Sequence, residues 1–325
     1  MKIKIICTLG PSSLNKDFLR FAKNKISLLR LNMSHLSQAS LIKSIKFIKK
    51  YTKIPICIDT EGAQIRTKIK KEKYFKIGQK VKITNTKNNI NLYPDSIYTE
   101  IKENDILNIG FNNLKIKVIS KKNEILCKVL SSGKLENNKG VHIENRNIKL
   151  NYLTKKDFKA IEIGKKFKIK NYALSFTNSI TDIIKFDNLL KNRNKIYKIE
   201  TSRAIKNFNS ILKKGSSFLI DRGDLSKDVE VENIPLAQRR LFKLKKKYKN
   251  KKIFLATNLL ESMLENNYPT RGEANDIYNS LEMGAEGLVL AAETAIGKHP
   301  KDAVVFLEKM IKVFKKNKYL NYKFS

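Results

Sequence analysis

Long apolar runs are missing from this 325-residue chain. No window of 18 apolar residues occurs, and the N-terminus has no apolar stretch with a cleavage site. Neither a membrane-spanning helix nor a cleaved signal is therefore expected, and the chain reads as soluble and cytoplasmic. Cysteine is scarce. Cys7, Cys57 and Cys127 lie far apart with no CxxC pair, and two sit inside apolar runs. That favours buried free thiols in a reducing compartment over disulfides or zinc. His142 and His299 have no partner at metal-ligand spacing and read as structural or surface residues. Arginine is short too, with 10 residues against 57 lysines. This bears on the formal net charge of +37. Such a charge is the electrostatic footprint of a nucleic-acid binder, yet bidentate reading of phosphates and bases favours arginine. The lysines are scattered over helix-like stretches such as KSIKFIKK and KLKKKYKN, without aromatic interleaving. Compositional bias accounts for them. No specific nucleic-acid partner is expected, only weak, salt-sensitive contact with RNA or anionic metabolites.

What the chain does have is rhythm. Eight short apolar runs recur: KIKIICTLG, ISLLRLNMS, IPICIDT, YALSFT, KIYKIET, SSFLIDRG, KIFLATN and GLVLAAET. Stretches with helical apolar spacing separate most of them, for example 17–25 and 38–50. Near-continuous apolar strands alternating with helices predict a parallel sheet covered by helices, and eight units predict a closed (β/α)₈ TIM barrel, an α/β fold. One interval is too long. Between a third strand ending near Thr67 and a fourth starting near Tyr172 lie roughly a hundred residues. Residues 154–168 supply the missing helix. Residues 68–150 alternate in short segments broken by turn residues, which predicts a small inserted β domain within a barrel of 1–67 and 151–325.

Each apolar run delivers polar residues where its strand ends: Thr8; Arg30, Asn32 and Ser34; Asp59 and Thr60; Ser175; Lys198 and Glu200; Asp221 and Asp224; Thr257; Glu293. In a barrel those ends converge on one mouth. Carboxylates with a lysine and an arginine there suit a divalent metal and a phosphate, and few protein oxygens with substrate completing the shell is the Mg²⁺ habit. Lys198 and Glu200, two residues apart, share a strand face. Single residues keep plainer readings: Asp59 and Thr60 as a cap or turn, Lys156 as a solvated lysine, Thr257 as barrel packing, Met33 and Met263 as core.

The chain resembles the pyruvate kinase family along its whole length. The motifs CTLGPSS, LLRLNMSH, IDTEGAQIRT, KGVHI, YKIE, DRGDL, ATNLLESMLENNYPTRGE and LAAETAIGKHP occur in the family's order. The resemblance implies phosphoryl transfer from phosphoenolpyruvate to ADP, giving pyruvate and ATP, with the inserted β domain as lid. It implies that Arg30 and Lys198 hold the transferring phosphoryl group and that Glu200 and Asp224 ligate Mg²⁺ or Mn²⁺. Gly223 and Asp224 take the substrate carboxylate on backbone N–H groups, and Thr257 lies near the enolate carbon. Asn32, Ser34, Asp59 and Thr60 match the family's K⁺ site, and Arg66, His35 and Lys156 its nucleotide-phosphate contacts. A homo-oligomer through the barrel is the assembly it suggests. The chain stops one helix after the eighth strand, so the family's C-terminal regulatory domain is expected to be absent.

Some positions depart from the family pattern. Gln64 stands where a glutamate or lysine goes with the K⁺ requirement, leaving that requirement open. Asn108, Ile109 and Gly110 replace an acidic pair on the lid, Asp221 a small apolar residue, Ala291 and Ala292 a small polar pair, and Ser226 a glycine. Two other readings stand beside the kinase: a relative retargeted to another phosphoanion or to regulation, and a nucleic-acid-binding protein.

Overall fold

A computed structural model describes residues 3–86, 90–110, 114–122, 124–146, 148 and 150–317. The chain divides into two compact units, one made of the residues up to Gly62 and from Lys155 onward, the other of Ala63–Thr154.

In the first unit, eight parallel strands among the described residues close into a barrel. They are β1 (Lys4–Thr8), β2 (Leu28–Asn32), β3 (Ile56–Asp59), β4 (Asn171–Leu174), β5 (Asn194–Ile199), β6 (Ser217–Asp221), β7 (Lys252–Ala256) and β8 (Gly287–Leu290). The ring closes where β1 pairs with β8, with Lys4 opposite Gly287 and Cys7 opposite Leu290. Inside it Ile6, Leu28, Cys57, Ala173, Ile196, Leu219, Phe254 and Val289, one per strand, pack with Ala256 as a single apolar cluster. The helices between strands follow from caps and spacing. Ser37 accepts from Ser40 N–H to start Gln38–Tyr51, which buries Leu41, Ile45 and Ile48 on one stripe. Ser179 with Asp182, and Thr270 with Glu273, form capping boxes at the starts of Ile180–Leu189 and Arg271–Glu282.

The second unit is built on antiparallel pairing. Its larger sheet runs in the order Lys80–Ile83, Ile125–Ser131, Leu114–Lys121, Ile106–Ile109, Gly140–Ile143, Ile65–Lys68, Asn91–Tyr93. Alternate residues such as Ile65, Leu107, Ile116, Val118 and Cys127 bury one face in a core of its own. The division falls earlier than the pattern of apolar runs suggests. β3 ends at Asp59, and Ile65–Lys68 pairs with Gly140–Ile143 and Asn91–Tyr93 rather than continuing the barrel. On the return side the first barrel element is the helix Lys155–Lys166, whose Asp157 accepts from the N–H groups of Glu61 (2.7 Å) and Gly62 (3.0 Å).

Candidate active site

The apolar ring inside the barrel generates the layer above it. Strand side chains repeat with period two, so each ring residue is followed two positions later by another inward residue. Ile6 leads to Thr8, Leu28 to Arg30, Cys57 to Asp59, Ala173 to Ser175, Ile196 to Lys198 and Leu219 to Asp221. All six of these polar residues are buried. On these six strands the sequence thus places a polar residue directly above the apolar ring, at the strands' C-terminal ends, while β7 and β8 place Ala256 and Ala291 there.

Lys198 is the hub. Its Nζ lies 2.7 Å from Glu200 Oε1, 3.2 Å from Asp221 Oδ2 and 3.4 Å from Asp59 Oδ2, and it donates to Ser175 Oγ at 3.3 Å. Arg30 grips the same Asp59 oxygen through Nε (2.7 Å) and Nη2 (2.5 Å), while Nη1 donates to Thr8 Oγ1. Burial on its own would lower the Lys198 ammonium, but Asp59, Glu200 and Asp221 outweigh it and the net shift is upward. The lysine therefore stays charged. Burial is also the largest influence on Glu200; against the pull of Lys198, and with repulsion from Asp224 and Asp221, it lifts that carboxyl to about 8. Glu200 Oε2 accepts from Phe176 N–H at 2.6 Å, and Phe176 holds a left-handed φ of 52° to offer it. A bulky side chain in that region is strained.

Thr257 and the turn after β6 form the other wall. Gly223 N–H donates to Thr257 Oγ1 at 2.7 Å, and that hydroxyl shares its own proton between Ala256 O (2.5 Å) and Asp221 Oδ1 (3.1 Å). Thr257 itself has φ 68°, an outlier for a β-branched residue. The Gly223 amide expected to receive a carboxylate is thus held by Thr257. Asp224 pairs with Lys227 at 2.6 Å, a partner that the sequence motifs did not point to.

The oxygen donors fit the metals implied by the motifs. Glu200, Asp221 and Asp224 each present a carboxylate oxygen within 4.8 Å of the others. Two metal–oxygen bonds of about 2.1–2.5 Å put opposite oxygens about 4–5 Å apart, so one divalent ion can be shared. For K⁺, register sets Asn32 beside Asp59 across β2 and β3. Asn32 Oδ1 accepts from Ser34 N–H at 3.0 Å, and the Thr60 carbonyl accepts from Ser175 Oγ at 2.7 Å. Carbonyl oxygens keep a second lone pair for a cation.

Other expected residues fall elsewhere. Glu293 lies past β8 in the helical turn Ala292–Ala295, and its carboxylate accepts from Leu260 and Ala291 N–H groups, so it fixes loops rather than joining the ionic cluster. Lys156 sits 3.8 Å from Glu61, His35 lies on the exposed turn after β2, and Arg66 belongs to the second unit, donating to the Asn138 carbonyl. Gly62 was not anticipated. It has φ 74°, and a Cβ there would stand 2.7 Å from the Ser175 side chain, so the chain leaving the cation-site residues needs glycine.

The family model of the pyruvate kinase barrel domain matches residues 1–304. The chain belongs to the pyruvate kinase family. The pyruvate kinase of Thermotoga maritima is 30% identical over 95% of this chain and 70% of its own length. That of Methanocaldococcus jannaschii is 33% identical over 96% of this chain and 69% of its own. That of Staphylococcus saprophyticus is 32% identical over 93% of this chain and 55% of its own. The chain therefore spans little more than half the length of several curated pyruvate kinases. Among the described residues, no helix is long and apolar enough to cross a membrane.

Proposed function

We propose that the protein is a phosphotransferase acting as a pyruvate kinase. The bond between phosphorus and the enol oxygen of phosphoenolpyruvate breaks, a bond to the terminal phosphate oxygen of ADP forms, and the enolate takes a proton at its methylene carbon to give pyruvate. The observation that carries this reading is the buried pair of cations, Arg30 and Lys198, set against Asp59, Glu200 and Asp221 at one barrel mouth. Phosphoryl transfer is driven by positioning and charge stabilisation, and preorganised cations supply both.

Lys198 and Arg30 take the phosphoryl oxygens, each trading part of its hold on Asp59. Glu200 and Asp224 would hold Mg²⁺ or Mn²⁺, which when bound neutralises charge on the substrate oxygens. Gly223 and Asp224 receive the substrate carboxylate, and Thr257 orients a proton donor, once its hydroxyl turns from the Gly223 amide. Asn32, Ser34, Asp59 and Thr60 are the residues for K⁺, and Arg66, His35 and Lys156 those for ADP phosphates, with the second unit as lid. A cytoplasmic, homo-oligomeric enzyme fits this reading.

The Thr257–Gly223–Asp221 bonding favours one rival, a relative retargeted to a different phosphoanion. A coupled assay of ADP-dependent pyruvate formation, with and without Mg²⁺ and K⁺, decides between them. Turnover that requires the divalent ion is expected. No pyruvate at saturating phosphoenolpyruvate, ADP and both cations sinks the kinase.

A further inference from the structure

Asp221 is the polar inward residue of β6, 3% exposed, two positions beyond Leu219 of the apolar ring. It precedes the helical turn Arg222–Leu225, yet its side chain makes no capping hydrogen bond. The carboxylate turns into the site instead. Oδ1 accepts from Thr257 Oγ1 at 3.1 Å, and Oδ2 faces Lys198 Nζ at 3.2 Å.

Charge shows what the site lacks. The two buried cations, Arg30 and Lys198, meet three buried carboxylates, Asp59, Glu200 and Asp221. Asp59 takes both cations on one oxygen. Lys198 alone is left to serve Glu200 and Asp221, while Asp224 at the rim is held by Lys227. Carboxyl groups gathered in a buried site on so little positive charge are costly unless a proton or a metal ion joins them. Glu200, Asp221 and Asp224 each bring one carboxylate oxygen within 4.8 Å of the others, which leaves room for such an ion.

We propose that Asp221 is a third carboxylate ligand of the divalent-metal site, tightening its hold on the ion. The inference rests on the metal site of the proposed function. Glu200 and Asp224 alone would leave most of the shell to water and substrate oxygens; a third anionic ligand raises affinity in the absence of substrate. Lys198 is then released from Asp221 and turns to the incoming phosphoryl group.

Mn²⁺ alone is the probe, added to the full chain without substrate and followed by the electron spin resonance of free Mn²⁺ and by water-proton relaxation. The wild type should bind Mn²⁺. Asp221→Asn and Asp221→Ala should each bind it about tenfold or more weakly. The ion bound to Asp221→Ala should also carry about one more inner-sphere water, raising relaxation per bound ion. Asp221→Asn keeps the shape of the native side chain and carries the test if the alanine variant does not fold. Affinity within twofold of wild type in both variants overturns the proposal, as does no Mn²⁺ uptake by the wild type without substrate. Weaker binding with unchanged hydration in Asp221→Ala also overturns it, since a remote charge would act that way. In each case, Mn²⁺ binding with substrate present that is lost in Glu200→Gln leaves the kinase reading standing.

Discussion

Lys198 stabilises charge on one side of the proposed substrate, while Thr257 serves the other, so the two half-reactions should separate. Lys198→Met should cut pyruvate formation roughly 10²-fold or more, as loss of one preorganised charge donor does. Metal-dependent exchange of pyruvate methyl protons with solvent should suffer much less. Glu200→Gln and Asp224→Asn should damage both, and deuterium entry followed by NMR beside the coupled assay tells them apart. Near-normal turnover in Lys198→Met would remove the role given to this lysine. The thiols make a second residue-scale prediction. Burial lifts Cys127 to about 12 and pushes Cys7 and Cys57 up as well. A raised thiol favours the folded state below its unfolded value near 9.0, and that contribution is lost as pH rises through the folded value. At pH 8 an aromatic disulfide reagent should therefore label none of the three until urea unfolds the chain; rapid native labelling would contradict the burial. At this scale the sequence was readable where period two applied. Arg30, Asp59 and Lys198 stand on the strand ends as the apolar runs implied. The left-handed Thr257 and Phe176 were not readable, because their backbone angles are imposed by bonds to Gly223 and Glu200 from distant segments.

Loops and caps hold the site at the next level. The Gly62 turn is tied to Asp157 and lies against Ser175, which in turn donates to Asp59 and to the Thr60 carbonyl. Gly62→Ala meets both a clash and a left-handed φ, and should cost about 1–3 kcal/mol, read from urea midpoints. It should also weaken whatever K⁺ activation the assay finds; a silent substitution would mean the turn relaxes freely. The start of Arg271–Glu282 depends on charge. Glu273 accepts from Ser262 N–H and Oγ and from Thr270 N–H and Oγ1. Burial works the other way, but these bonds prevail and hold its carboxyl below the usual range. Their contribution is present above the unfolded value and is lost as pH falls through the folded one. Glu273→Gln should thus lower the urea midpoint at pH 7 and nearly match wild type at pH 3. A pH-independent difference would reject the charged cap. Barrel strands were easy to find because both faces are apolar. The end of β3 was not, since Ile65–Lys68 carries apolar residues too and only its antiparallel partners assign it to the second unit.

For the whole molecule, the surplus of lysine is a property of surface rather than of site. The buried ionic cluster uses one lysine, and the many others lie outside it. Binding to mixed RNA or DNA should be sequence-blind, about 10⁻⁴–10⁻⁶ M at physiological salt, and should fade steeply as salt rises. Fluorescence anisotropy with several oligonucleotides checks this, and tight discrimination among them would promote the nucleic-acid reading. The ring closure between Lys4–Thr8 and Gly287–Leu290 matters on another clock, that of synthesis. The first strand emerges from the ribosome with one neighbour soon available, Leu28–Asn32, and its other edge open. The partner for that edge is made roughly 280 residues later, which at about 5–20 residues per second is about 15–60 s. Through that interval an apolar edge is exposed to other nascent chains. The like charge spread over the rest of the sequence keeps those chains apart until the last strand arrives.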